Sequence, residues 1–125
     1  MKPWFLFNDS IPGLSFTVIP SGTAVTDADT PLRSATLDLK AGGVSCKSTQ
    51  TLSSLNGSTF YGKYQESADG VTWTDLAGAA FTFVITSSNI QTINFTSSKR
   101  YLRYSCEFDA GDFASCTLGV TLSTN

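Results

Sequence analysis

Apolar side chains recur at every second position along much of this chain, and only an extended strand turns that period into one continuous apolar face. Leu102, Tyr104, Cys106 and Phe108 show it, and Ala114, Cys116, Leu118, Val120 and Leu122 show it again. A helical repeat of apolar positions is almost absent. Turn formers break the alternation at short intervals, at Pro12-Gly13, Pro20-Ser21-Gly22, Gly42-Gly43, Asn56-Gly57, Asp69-Gly70, Ala77-Gly78 and Ala110-Gly111. Glycine and proline suit such breaks through their backbone preferences. Many short strands so punctuated predict an all-β chain.

The expected strands are Leu14–Ile19, Ala35–Lys40, Val44–Thr51, Thr59–Glu66, Val71–Asp75, Phe81–Ile85, Ile90–Thr96, Arg100–Phe108 and Ala114–Leu122, with a further short candidate at Trp4–Phe7. Ser21–Pro31 reads as the longest loop. A chain of 125 residues is the size of one domain and can bury a core without metal or disulfide staples. The expected architecture is a single antiparallel β-sandwich over 1–125, with jelly-roll or immunoglobulin-like connections and an N-terminal arm at 1–12.

The last two strands allow a register argument. Folding the chain about Gly111 sets Phe108 opposite Ala114, Cys106 opposite Cys116, Tyr104 opposite Leu118 and Leu102 opposite Val120, with every apolar side chain on one face. Arg103, Ser105 and Glu107 then face Gly119, Thr117 and Ser115 on a polar outer side. A one-residue slip would turn one apolar set into water. Phe81, Phe83 and Ile85 form a second expected inward set, and Ile93 with Phe95 a third. In the hairpin from Tyr64 to Trp73, Asp69-Gly70 marks the turn. A two-residue turn pairs Glu66 with Trp73, and a longer one shifts the pairing by one.

Cysteines number three, Cys46, Cys106 and Cys116, and their spacing fits no zinc pattern. The hairpin register would bring Cys106 and Cys116 to within about 4.5–5.5 Å at Cα, inside disulfide range. Three buried free thiols are nevertheless expected, because cytoplasmic thiols stay reduced.

Charged residues make up only 14% of the chain and the net charge is −2, where ordinary domains carry about 25% charged residues. Serine and threonine cover the surface instead, as in Ser45–Ser54 and Thr86–Ser88. Such a surface packs against another protein with little charge to desolvate. The basic cluster Lys99, Arg100 and Arg103 reads as a guarded strand edge, so no nucleic acid is expected as a partner. No apolar run is long enough for a membrane helix, and the N-terminus lacks a signal-peptide core and cleavage site. Synthesis in the cytoplasm follows as the expectation.

Histidine is absent. That removes the commonest general base and the Ser-His-Asp and Cys-His arrangements. No Gly-rich phosphate loop occurs. Glu66 and Asp69 could be imagined as a glycosidase pair, but they sit at a turn where Asp serves the backbone. Asp27 and Asp29 are two carboxylates where calcium needs six to eight oxygens. The chain is therefore expected not to be an enzyme and to need no cofactor or metal. Exposed aromatics stack on sugars, and Trp4, Tyr61, Tyr64, Trp73 and Tyr101 are candidates for that role.

Ser67–Trp73, SADGVTW, is similar to the Asp-box turn of sialidase propellers, but it lacks the residue between Asp and Gly and occurs once, which excludes a propeller. A longer stretch, FYGKYQESADGVTWTDLAGAAFTFV at Phe60–Val84, is followed by KRYLR at Lys99–Arg103 and a closing Gly-Val-Thr-Leu strand at Gly119–Leu122. In that order these segments resemble small tailed-phage and prophage structural proteins of the capsid decoration (cement) type. The resemblance covers roughly the C-terminal half and carries no catalytic residue. It implies a virion protein on the outer capsid surface, made in the host cytoplasm, that bridges major capsid protein subunits and forms a homo-oligomer, a trimer first. Trp4, Phe5, Phe7, Lys99, Arg100 and Arg103 are the expected capsid or inter-subunit contacts. Met1–Phe7 is expected to be tied down, either in its own fold or on a neighbour. The alternative is a carbohydrate- or receptor-binding sandwich of a tail or fibre, with Tyr64 and Trp73 as the glycan contacts. A tail-tube or head–tail component is the third reading.

Overall fold

The computed structural model describes residues 13–109 and 113–124. The strand candidate Trp4–Phe7 and the contact candidates Trp4, Phe5 and Phe7 lie outside these residues. The described strands are β1 (Ser15–Thr26), β2 (Leu32–Arg33), β3 (Leu37–Asp38), β4 (Val44–Asn56), β5 (Phe60–Ser67), β6 (Thr74–Ala80), β7 (Asn89–Ser97), β8 (Tyr101–Phe108) and β9 (Ser115–Thr124). They form two antiparallel sheets. One has the order β1-β9-β4-β7; in the other, β8 and β5 are central, β6 is one edge, and β2 and β3 both pair with β8 at the opposite edge. The expected sandwich is thus the observed fold.

The connections decide between the two expected topologies. Successive strands change sheet at almost every step, only the short edge pair β2 and β3 and the hairpin β5 and β6 remain together, and the first described strand lies beside the last. This is the jelly-roll order, not the immunoglobulin one. It also overturns the register expected for the last two strands. β8 pairs with β5, and β9 pairs with β1 and β4, so the two are not neighbours in a sheet. Arg103, Ser105 and Glu107 lie opposite Gln65, Lys63 and Tyr61, not Gly119, Thr117 and Ser115. Their apolar sets do point inward as expected, with Leu102, Tyr104, Cys106, Phe108, Ala114, Cys116, Leu118, Val120 and Leu122 all buried. Alternation reports which side of a strand is buried, and that side is the same whether the other strand sits beside it or in the opposite layer.

Two expected breaks are bulges inside strands. β1 continues through Pro20-Ser21-Gly22 to Thr26, which shortens the loop expected at Ser21–Pro31. Three residues there face Gly119 alone, between the pairs Leu118–Thr23 and Val120–Ile19. The two backbones approach so closely that a β-carbon on Gly119 would stand 3.0 Å from the Ser21 Cα. Likewise β6 runs through Ala77-Gly78, with Gly78 at φ 79°. Such bulges bend and twist a strand without ending it. Phe81–Ile85 departs from expectation: Phe81 and Val84 are buried, but Phe83 and Ile85 are 54% and 70% exposed. Its backbone meets β5 only at the Val84–Phe60 bridge and through the Phe81 N–H, which donates to the Gly62 carbonyl at 2.9 Å. The Gln91 side chain accepts from the Thr82 N–H and donates to its carbonyl, each at 2.8 Å, taking the place of a strand neighbour.

Aromatic rings fill the middle of the core. Tyr64 lies 5.0 Å from Phe95, 5.6 Å from Tyr104 and 6.4 Å from Phe81, centroid to centroid. Most polar atoms buried among them are paired in strings, Gln50 Nε2 being the exception among the described residues. Ser48 and Tyr64 share a 2.6 Å hydrogen bond and the Ser48 hydroxyl donates to the Thr121 carbonyl, while Tyr104 donates to Gln50 Oε1 at 2.6 Å. Gly62 admits this last pair, since a β-carbon there would collide with both the Gln50 oxygen and the Tyr104 hydroxyl.

All three cysteines are buried and free. Desolvation pushes Cys46 up to about 11, Cys106 to about 12 and Cys116 to about 11, so little thiolate is available at neutral pH. A maleimide or disulfide reagent at pH 7.5 is expected to label the native protein at a negligible rate and to count three thiols once denaturant is added. Labelling of only one thiol in denaturant would contradict this arrangement.

Candidate functional site

The same alternation that fills the core leaves every second side chain on an outer face, and the two outer faces differ in chemistry. On the β1-β9-β4-β7 sheet, strand register lines up hydroxyl side chains in ranks. Thr17 stands opposite Thr121, Thr121 opposite Thr49, and Thr49 opposite Thr92, crossing all four strands. A second rank runs Ser15, Ser123, Lys47, Asn94. Thr51 and Thr117 extend the surface beside Gly119 and Ser53. The Thr49 and Thr92 hydroxyls bond to each other at 2.9 Å. Among the described residues of these ranks, Lys47 is the single charge. A shallow depression lined by Ser15, Lys47, Thr49, Thr121 and Ser123 lies on this face.

The opposite sheet carries the charges. Its outer side bears Arg33, Asp38, Lys63, Asp75, Arg103 and Glu107, several of them paired. Lys63 Nζ reaches Asp75 at 2.9 Å. Arg100 Nε and Nη2 each donate to Asp38 at 2.8 Å, and this guanidinium holds the Asp38 carboxyl far below the usual range. The Arg103 guanidinium lies 4.4 Å from the centre of the Trp73 ring, and its Nε donates to Gln65 at 2.8 Å. Ion pairs this exposed contribute little to stability; their effect is to make this face strongly hydrated.

The expected contact residues therefore separate. Arg100 and Arg103 are committed to Asp38, Trp73 and Gln65, and Lys99 is half-buried in the turn between β7 and β8, where its carbonyl accepts from Ser97. None belongs to the hydroxyl face. Of the two expected glycan contacts, Trp73 is half-buried beside Arg103. Tyr64 is corrected: its exposure is 0%, because its side of β5 faces the other sheet, where Phe95 and Ser48 pack against it.

Glu66 and Asp69 serve the backbone. Glu66 is buried and receives the Ser98 N–H at 3.0 Å and the Ser98 hydroxyl at 2.9 Å, fastening the β7–β8 turn to β5. Asp69 accepts from the N–H groups of Thr72 and Val71 at 2.9 and 2.8 Å, and from the Ser67 hydroxyl. Those donors, Thr72 foremost, hold its carboxyl at about 2 against an ordinary 3.8. A carboxyl lowered by folding stabilises the fold above its unfolded value, and this contribution disappears as pH falls from about 4 through about 2. Asp69→Asn keeps an oxygen acceptor without the charge. Thermal melts from pH 5 to pH 2 are expected to fall more steeply for the wild type than for this variant, and parallel curves would refute the assignment. Asp29 similarly accepts from the Thr26 N–H and hydroxyl, each at 3.0 Å, in the turn after β1. Among the described residues no three His, Cys, Asp or Glu side chains gather where a metal ion could be held, and no helix is long and apolar enough to cross a membrane.

The threonine ranks were not anticipated as a site. Their signal was present as serine and threonine alternating with the apolar set in Ser115–Ser123, and as hydroxyls at alternate positions in Ser45–Ser53, where Ser48 and Gln50 stand among the inward residues. The strand order that joins them into one face was not readable.

No protein-family model and no curated protein matches this sequence. Solved structures do share the fold. A CBM4 structure superposes with a TM-score of 0.52 at 15% identity, over 90% of this chain and 71% of that one. The VP2 protein of infectious bursal disease virus gives 0.54 at 14% identity over 94% of this chain, which spans about a third (32%) of the VP2 chain. A cleaved adhesin domain of Lys-gingipain from Porphyromonas gingivalis gives 0.50 at 14% identity, over 90% of this chain and 98% of that one. At such identities the likeness is one of fold alone: this chain is a β-sandwich.

Proposed function

We propose that this chain is a non-catalytic decoration protein of a tailed-phage head, which packs its hydroxyl-ranked sheet face against the outside of the capsid and bridges neighbouring major capsid subunits. The observation that carries this reading is the contrast between the two outer faces. Moving a charge out of water is costly unless it meets a partner, whereas a hydroxyl can exchange water for a protein hydrogen bond at small net cost. A face with Lys47 as its single charge is suited to burial. The opposite face, with its arginines and carboxylates, is suited to remaining in water. The jelly-roll body supplies a rigid support without a cofactor. The resemblance of Phe60–Val84 and Lys99–Arg103 to small phage structural proteins supports the same assignment. Modest affinity per copy suffices if a trimer engages several capsid sites together, because linkage raises the effective concentration at the second and third contacts.

The purified protein is expected to co-sediment with expanded heads that lack it, at a stoichiometry set by the capsid lattice, and not with immature heads whose subunits are arranged differently. Failure to bind either kind of head, or equal binding to both and to unrelated protein shells, would overturn the reading.

A further inference from the structure

A cleft of about 360 Å³ opens on the charged side of the sandwich, away from the threonine ranks, and Tyr61, Lys63, Ala80, Phe81, Ser105, Glu107 and Asp109 are among its lining residues. Register explains why it exists. Tyr61 faces Glu107 across the β5–β8 pair, and Lys63 is flanked by Ser105 on one side and Ala80 on the other. Ser105 and Ala80 are too short to fill the surface between their longer neighbours. The cleft has the size of a small-ligand site.

Its chemistry is specific. Tyr61 is 41% exposed, and on one side its ring packs against Phe83 with centroids 6.3 Å apart, which restrains it as a platform. Glu107 is exposed, and among the described residues no ion pair or side-chain hydrogen bond of the fold engages it. Ser105 adds a hydroxyl that can donate or accept. Lys63 is already paired with Asp75, so the uncompensated charges that line the cleft are the carboxylates of Glu107 and Asp109, with Arg33 opposite Ser105 outside the lining. An anionic ligand is disfavoured there, while a neutral molecule rich in hydroxyl donors finds acceptors. An aromatic platform flanked by carboxylate acceptors matches one ligand class, a ring with an apolar face and a hydroxylated edge.

We infer that this cleft binds a neutral hexose unit of a polysaccharide, stacked on Tyr61 with its hydroxyls donated to Glu107. The site is independent of the proposed docking face, and a copy held by its threonine ranks would turn the cleft to solvent. It differs from the glycan contacts expected at Tyr64 and Trp73.

Affinity electrophoresis through gels containing soluble starch, hydroxyethylcellulose, laminarin, galactomannan or dextran tests it. The protein is expected to be retarded by at least one of these neutral polymers, with affinity lowered at least ten-fold in Tyr61→Ala and in Glu107→Ala and largely retained in Tyr61→Phe. Circular dichroism confirms folding, and Glu107→Ala alters an exposed side chain if Tyr61→Ala proves unstable. Retardation by none of the five polymers, or retardation unchanged in folded Glu107→Ala, would overturn the inference. Head binding by these variants is expected to equal that of the wild type, so the two sites fail or succeed separately.

Discussion

Thr121→Lys is expected to reduce binding to expanded heads at least a hundred-fold while leaving the thermal midpoint within a few degrees of the wild type. Thr121 is exposed at the centre of the threonine rank, between Thr17 and Thr49. A lysine there remains hydrated in the free protein, and surface changes of this kind usually shift stability by no more than about 0.5 kcal/mol. In the bound state its ammonium would be pressed into an interface beside Lys47, with no carboxylate on this face to meet it. A buried unpaired charge costs about 3–5 kcal/mol, and about 1.4 kcal/mol corresponds to a factor of ten. The same penalty recurs at each contact of an oligomer. Thr36→Lys is the matched control: Thr36 is exposed between β2 and β3 at the edge of the other sheet, and the added charge is identical. Co-sedimentation of both variants with expanded heads reads the difference. Equal binding by both would remove the threonine face from the interface.

Tyr64→Ala is expected to produce the largest loss of stability of any single truncation of an aromatic core residue, about 3–5 kcal/mol by comparison with other large-to-small core changes. The ring is fully buried and touches Phe81, Phe95 and Tyr104, so its removal leaves a cavity that three neighbouring rings cannot close without leaving their own contacts. It also removes one of the two partners of the Ser48 hydroxyl. Domains of this size are stable by roughly 5–15 kcal/mol in total, so the variant should be near its limit at room temperature. Tyr64→Phe separates packing from hydrogen bonding. It keeps the ring, and Ser48 keeps its bond to the Thr121 carbonyl, so a loss of about 0.5–1.5 kcal/mol is expected. Urea melts of both variants measure the ratio. A small effect of Tyr64→Ala would mean that the ring is not the centre of the core.

The distinction between Tyr64 and Tyr61 illustrates what could be read in advance. Both are tyrosines in one strand, three residues apart, and both were candidates to stack on a sugar. Which one is sealed depended on which face of β5 the other sheet covers, and that is set by residues such as Phe95 and Ser48 far from it in sequence. Asp69 was legible as a turn residue because its chemistry acts within three residues of itself. Glu66 was not legible as the anchor of the β7–β8 turn, because its partner Ser98 is 32 positions away. The pairing of the last two strands failed for the same reason: their inward faces were evident, but the connection between them crosses the core.

Local chemistry thus determined that the chain is all-β, which side of most strands is buried, and where several of the turns fall. Tertiary structure decided strand order, and with it the ranks of threonine, the sealing of Tyr64 and the cleft beside Tyr61. The physical reason is that an alternating strand presents the same two faces whatever stands next to it. The neighbours are chosen by packing and by chain connection between the two layers, and a surface assembled from four strands exists only after that choice is made.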